Sequence, residues 1–100
     1  MDKAQPLKNI RILDLSRIWA GPYCTKLMAD MGAEVIKVEP INGDPLRQND
    51  NYRLYNRGKK SISLDLSDSR DIKTFDALIK KSDVFIQTYL IKEIRSGSIF

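Results

Sequence analysis

The chain has 100 residues, 42% of them hydrophobic and 30% charged, with only five Gly and four Pro, a composition that fits one soluble globular domain and excludes disordered and fibrous classes. One cysteine and no histidine exclude an internal disulfide, His-based proton transfer and the common His zinc sites, so no metal is expected and the chain reads as cytoplasmic. The net charge of +4 is concentrated between Arg47 and Lys60, where five bases face one acid and the remainder balances; a single polar segment of this kind suits a compact anion better than nucleic acid.

Met1 to Leu15 lacks the apolar stretch of a signal peptide, and no run approaches the length of a membrane span, so no membrane partner is expected. Ile10 to Leu15 is rich in branched residues and predicts a first strand ending at Ser16. Gly21-Pro22 predicts a helix start, with Pro at the first helical position where its missing N–H does no harm. Cys24, Leu27, Met28 and Met31 follow at i, i+3, i+4 and i+7 as the expected buried stripe, which makes Cys24 a packing residue rather than a nucleophile. Gly32 is placed as the left-handed helix stop. Ala33 to Glu39 predicts a second strand, parallel to the first, because a tight strand, helix, strand unit normally has that arrangement.

Pro40 ends that strand, and the polar stretch from Pro40 to Lys60 has no clear period. Structureless segments of this length in compact domains are usually binding segments or disordered. Ser61 to Leu66 alternates, with Ile62, Leu64 and Leu66 on one side, and predicts a third strand with one wet face. Ser67 or Asp68 caps the next helix, where Ile72, Phe75, Leu78 and Ile79 form the expected buried stripe. Asp83 to Thr88 is the fourth strand, and Tyr89 to Arg95 is a candidate short helix. The expected fold is therefore α/β, a Rossmann-like and mainly parallel sheet with flanking helices. Ligands of such sheets collect outside the carboxyl ends of the strands, beside helix N-termini. Ser16 to Gly21, Pro40 to Lys60 and Thr88 to Leu90 are expected there, with Asp14 orienting the first of these loops by accepting backbone N–H bonds.

The glycines fit neither a dinucleotide fingerprint nor a Walker loop. Several longer elements carry a more specific signal: Ile10-Arg11-Ile12-Leu13-Asp14-Leu15-Ser16-Arg17, Ala20-Gly21-Pro22-Tyr23, Leu27 to Pro40, Gly43-Asp44-Pro45-Leu46-Arg47, Asn56 to Leu66, and Lys81-Ser82-Asp83-Val84. In this order and spacing they resemble the opening of the class III CoA-transferases of the CaiB/BaiF type, the family of formyl-CoA transferase, carnitine CoA-transferase and α-methylacyl-CoA racemase. The resemblance spans residues 6–89 of a single domain covering residues 1–100, with 90–100 as a divergent tail.

The resemblance implies the N-terminal part of the class III fold, a CoA-binding layer for coenzyme A or an acyl-CoA, and an interlocked homodimer or a complementing C-terminal chain. Carried over by position, Trp19 and Ala20 match one CoA contact, Leu64 and Asp65 a second, and Thr88 and Tyr89 a third. Arg47, Arg57, Lys59 and Lys60 are candidates for the phosphate-binding charge. Two departures stand out. Pro40 occupies the place of a CoA-binding arginine in several members, and Leu90 to Arg95 replaces an Arg-Pro-Gly-like turn. In the transferases an aspartate attacks the acyl thioester, CoA thiolate converts the resulting mixed anhydride to an enzyme thioester, and the acceptor acid completes the exchange. None of the aspartates here aligns with that nucleophile, so no catalytic residue is expected in these 100 residues. Two further readings stay open: a non-catalytic CoA-binding or interaction module, and an inactive product of a decayed gene whose apolar faces are left uncovered.

Overall fold

The computed structural model describes residues 4–17 and 19–88; Tyr89 and the candidate helix from Tyr89 to Arg95 lie outside the described residues. Four strands, β1 (Arg11–Leu15), β2 (Glu34–Glu39), β3 (Lys60–Ser63) and β4 (Val84–Gln87), form one all-parallel sheet in the order β3-β2-β1-β4. Helix α1 (Ala20–Asp30) joins β1 to β2, a short 3-10 helix (Pro45–Gln48) and α2 (Asn51–Asn56) lie between β2 and β3, and α3 (Ser69–Lys80) leads to β4. The chain first steps outward from β1 to β3, then crosses back to place β4 on the other side of β1. This reversal is the topological switch point of a doubly wound sheet.

The two-residue period of the strands divides the core. Leu13, Leu15, Val38, Leu64 and Leu66 share one cluster, into which Phe75 and Leu78 of α3 pack. Ile12, Ala33 and Val35 form the other, with Met28 and Ala29 of α1 against them. Because β1 and β2 are in register, Ile12 opposite Val35 and Asp14 opposite Lys37, the face toward α1 changes character along its length. It is apolar near the amino ends and carries Asp14, Lys37 and Glu39, all buried, near the carboxyl ends.

Helix boundaries follow local chemistry. Gly32 sits at φ 102° just beyond α1, and the Gly32 and Ala33 amides donate back to the carbonyls of Ala29 and Met28, as a left-handed stop requires. Asp68 caps α3 by accepting from the Arg70 amide at 2.8 Å.

Four expectations are corrected. Helix α1 begins at Ala20, so Pro22 is its third residue rather than its first. Its inward face is Gly21, Pro22 and Thr25, continued by Met28 and Ala29, whereas Cys24, Leu27 and Met31 are exposed. Small residues face the sheet because the helix lies close to it: a Cβ on Gly21 would stand 2.3 Å from the Ser16 Cβ. In α3 the stripe is buried only in part, with Phe75 and Leu78 packed inward and Ile72 and Ile79 exposed. The segment from Pro40 to Lys60 contains the 3-10 helix and α2, both too short to show a hydrophobic period.

Candidate functional site at the carboxyl edge of the sheet

At the switch point the ends of β1 and β4 are tied together: the Arg17 amide donates to the Thr88 hydroxyl at 3.1 Å. Gly21 fits between them, since an added Cβ would also meet the Thr88 methyl at 3.1 Å. Glycine here permits the first turn of α1 to approach the two strand ends. Trp19 and Ala20 stand at the start of that turn, with the Trp19 ring 53% exposed and edge-on to Tyr55 of α2 at 5.5 Å. An open cleft of about 210 Å³ adjoins it, lined by Trp19, Pro22, Leu46, Tyr52 and Tyr55 together with asparagines of the α2 region.

Beneath this edge lies a buried polar layer. Asp14 is fully buried and accepts the Ser16 amide at 2.8 Å, the Ser16 hydroxyl, the Thr25 hydroxyl at 2.6 Å and the Lys59 ammonium at 3.0 Å. The first of these is the backbone contact expected of Asp14. Lys37 pairs with Asp44 at 3.0 Å and donates to the Ser16 carbonyl at 3.4 Å, so both backbone groups of Ser16 are held by buried side chains. Glu39 accepts from Arg47 at 2.7 Å, from Ser61 at 3.0 Å and from the Tyr52 hydroxyl.

These contacts shift the groups involved. Burial pushes the Glu39 carboxyl up, but the hydrogen bonds from Arg47, Tyr52 and Ser61 outweigh it and leave the group below the usual carboxylate value. Burial, and then the hydrogen bond to Glu39, holds the Tyr52 phenol well above its ordinary value. Lys59 moves down because burial disfavours its charge more than Asp14 favours it. The hydrogen bonds from Ser67 lower Asp65.

The structure brings Trp19, Ala20 and Thr88 together at the switch point. Leu64 and Asp65 are separate from it, past the end of β3 on the far edge of the sheet from β4, where they line a shallow groove of about 310 Å³ with Pro40, Ile41 and Asn42. Leu64 itself is buried and donates its amide to the Glu39 carbonyl at 2.9 Å. The basic segment, by contrast, is dispersed. Arg47 is paired with Glu39, and Lys59 is enclosed beside Asp14. Arg57 faces Asp30 at the end of α1, and Lys60 faces Glu34 at the start of β2. The last two stand at the opposite end of the sheet from Thr88, because Lys60 opens β3 while Thr88 follows β4.

Sequence reasoning missed Lys37, Glu39, Thr25 and Tyr52. One signal for the first two is present: Lys37 and Glu39 alternate on the same face as Val35 in a short strand whose other face carries Ile36 and Val38. Tyr52, Tyr55 and Asn56 also fall at i, i+3 and i+4, a single helical turn.

The doubly wound strand order, the close glycine at the switch point and the open carboxyl edge define a Rossmann-like α/β layer. Comparison with known proteins narrows the class. The family model for CoA-transferase family III matches residues 7–97. The succinyl-CoA:mesaconate CoA-transferase of Haloarcula hispanica is 40% identical over 96 residues, covering 83% of this chain and 24% of its own. The succinyl-CoA:glutarate CoA-transferase of Homo sapiens is 39% identical over 100 residues, covering 90% of this chain and 23% of its own. The crystal structure of Rv3272 from M. tuberculosis matches with a TM-score of 0.90 at 32% identity, over 99% of this chain and 28% of that one. The chain belongs to CoA-transferase family III. It spans about a quarter of the length of the curated relatives it matches.

Proposed function

We propose that this chain supplies part of the CoA-binding layer of a class III CoA-transferase, an enzyme that moves CoA between an acyl-CoA and a carboxylic acid. The single observation that carries the reading is the switch point itself, where Gly21, Thr88 and the Trp19–Ala20 turn meet at an open edge. CoA would lie along the carboxyl ends of the strands, from the Leu64–Asp65 groove to the Trp19–Ala20 turn and Thr88. Arg57 and Lys60 keep exposed heads near Asp30 and Glu34 and would reach a phosphate only after leaving those partners. Arg47 is half-exposed above Glu39 and is the cation of the segment best placed for a phosphate at the carboxyl edge. Two relatives named for succinyl-CoA support a short acyl donor carrying a second carboxylate. A homodimer, or a complementing chain, would supply the attacking carboxylate.

The test is calorimetric titration of the chain with CoA, alongside the emission of Trp19, the only tryptophan. Saturable heat with a matching change in emission supports the reading. A chain that melts cooperatively yet gives neither signal overturns it.

A further inference from the structure

Lys59 was a candidate phosphate ligand from its charge and position. Its side chain is only 1% exposed, and three partners meet its three ammonium hydrogens: Asp14 Oδ2 at 3.0 Å, the Pro22 carbonyl at 3.0 Å and Asn56 Oδ1 at 2.9 Å. They come from the carboxyl end of β1, the first turn of α1 and the end of α2. Asp14 in turn holds the Ser16 amide and the Thr25 hydroxyl. The segment from Ser16 to Gly21, which runs from the end of β1 into the first turn of α1, therefore has Asp14 just before it and Pro22 just past it, and one ammonium bridges the two.

We propose that Lys59 is a positioning residue rather than a phosphate ligand: its ammonium clamps the two ends of the Ser16–Gly21 segment and so sets the Trp19–Ala20 turn for CoA. The proposal rests on the CoA reading for its ligand, and on geometry alone for the clamp. A buried ammonium with every hydrogen engaged has nothing left to give a phosphate, and losing it would leave the Asp14 carboxylate unpaired. The neutral pair Asp14→Asn with Lys59→Met removes that unpaired charge while still lacking the bridge to Pro22 and Asn56.

The test compares wild type, Lys59→Met and the neutral pair in three measurements. The first is affinity for CoA, dephospho-CoA and pantetheine across salt concentrations. The second is thermal stability, and the third is hydrogen exchange at the Ser16 and Arg17 amides relative to α3. A positioning role weakens all three ligands by a similar factor, roughly tenfold, and leaves the salt dependence of CoA binding unchanged, since no screened contact to the ligand is lost. It also speeds exchange at Ser16 and Arg17. The neutral pair regains stability but keeps both the weak binding and the fast exchange. The proposal is overturned if CoA loses more than dephospho-CoA and the salt dependence flattens, which marks a phosphate ligand. It is equally overturned if affinity returns together with stability in the neutral pair, which marks a purely structural ion pair. Should Lys59→Met fail to fold, the neutral pair carries the comparison. Should wild type bind no CoA, the CoA reading falls, and the exchange measurement alone decides the clamp: faster exchange upholds it and unchanged exchange overturns it.

Discussion

Arg47 Nη2 lies 2.7 Å from Glu39 Oε2, so a half-exposed guanidinium covers a buried carboxylate at the end of β2. Glu39 also accepts from Tyr52 and Ser61. The pair thus joins β2, the 3-10 helix, α2 and β3 at the carboxyl edge. Arg47→Met leaves Glu39 with two neutral donors, and the expected loss is about 1–2 kcal/mol, below that of a fully buried pair because the arginine is partly solvated. Chemical denaturation measures it; an unchanged midpoint contradicts the assignment.

The pH dependence of stability follows from the same carboxylate. Glu39 sits below its ordinary value of 4.5 in the fold, so its contribution is present above that value and is lost as pH falls through the lower folded one. Tyr52 is shifted up from 10.0, so its contribution is present below 10 and is lost as pH rises beyond it. Melting temperature against pH should therefore fall at both ends. Tyr52→Phe should flatten the alkaline limb, and a limb of unchanged steepness would count against the Tyr52 assignment.

Gly21→Ala should destabilise the chain by about 1–3 kcal/mol, because the new methyl meets Ser16 Cβ at 2.3 Å and cannot be absorbed by a flexible side chain end. For a domain of this size that corresponds to a fall in melting temperature of roughly 4–8 °C per kcal/mol. Adding Ser16→Gly should recover part of the loss. No recovery would place the strain elsewhere.

Cys24 is exposed on the outer face of α1, so a thiol reagent should modify it stoichiometrically in the folded chain and leave the melting temperature unchanged. Modification that waits for unfolding would restore the buried position expected from its spacing with Leu27 and Met31.

Tyr55 shields one edge of Trp19 at 5.5 Å. Tyr55→Leu should raise the accessibility of Trp19 to an ionic quencher and cost about 0.5–1.5 kcal/mol. Equal quenching in the two proteins would argue that the ring pair does not persist in solution.

The strands were the most legible part of the sequence. Their branched residues, the glycine stop at Gly32 and the Asp68 cap are local signals, and each element lies where those signals put it to within a few residues. The orientation of α1 was not legible, because its apolar spacing points one way and the close approach of the sheet demands the other. Gly21 and Thr25 face inward for reasons of distance rather than hydrophobicity. The fate of the cations was also hidden. Lys59 meets Asp14 across 45 positions in the chain, and nothing local distinguishes it from Lys60, whose neighbour is Glu34 and whose head stays in solvent. Charge counting identified the segment; only the folded structure separates the buried cation, Lys59, from the exposed Arg57 and Lys60.

The strand order also fixes when the ligand edge comes into existence. Every pairing in the sheet is parallel, so no hairpin can nucleate it. The β1, α1, β2 unit closes within residues 11–39, whereas β1 receives its other neighbour from residues 84–87. During synthesis the flank of β1 that becomes the switch point therefore stands open while the rest of the sheet assembles. The Arg17 to Thr88 hydrogen bond is available only at the close of that sequence, as one of the contacts most distant along the chain and of the slowest kind to form. Order of synthesis makes the proposed CoA edge the last part of the described fold to be completed.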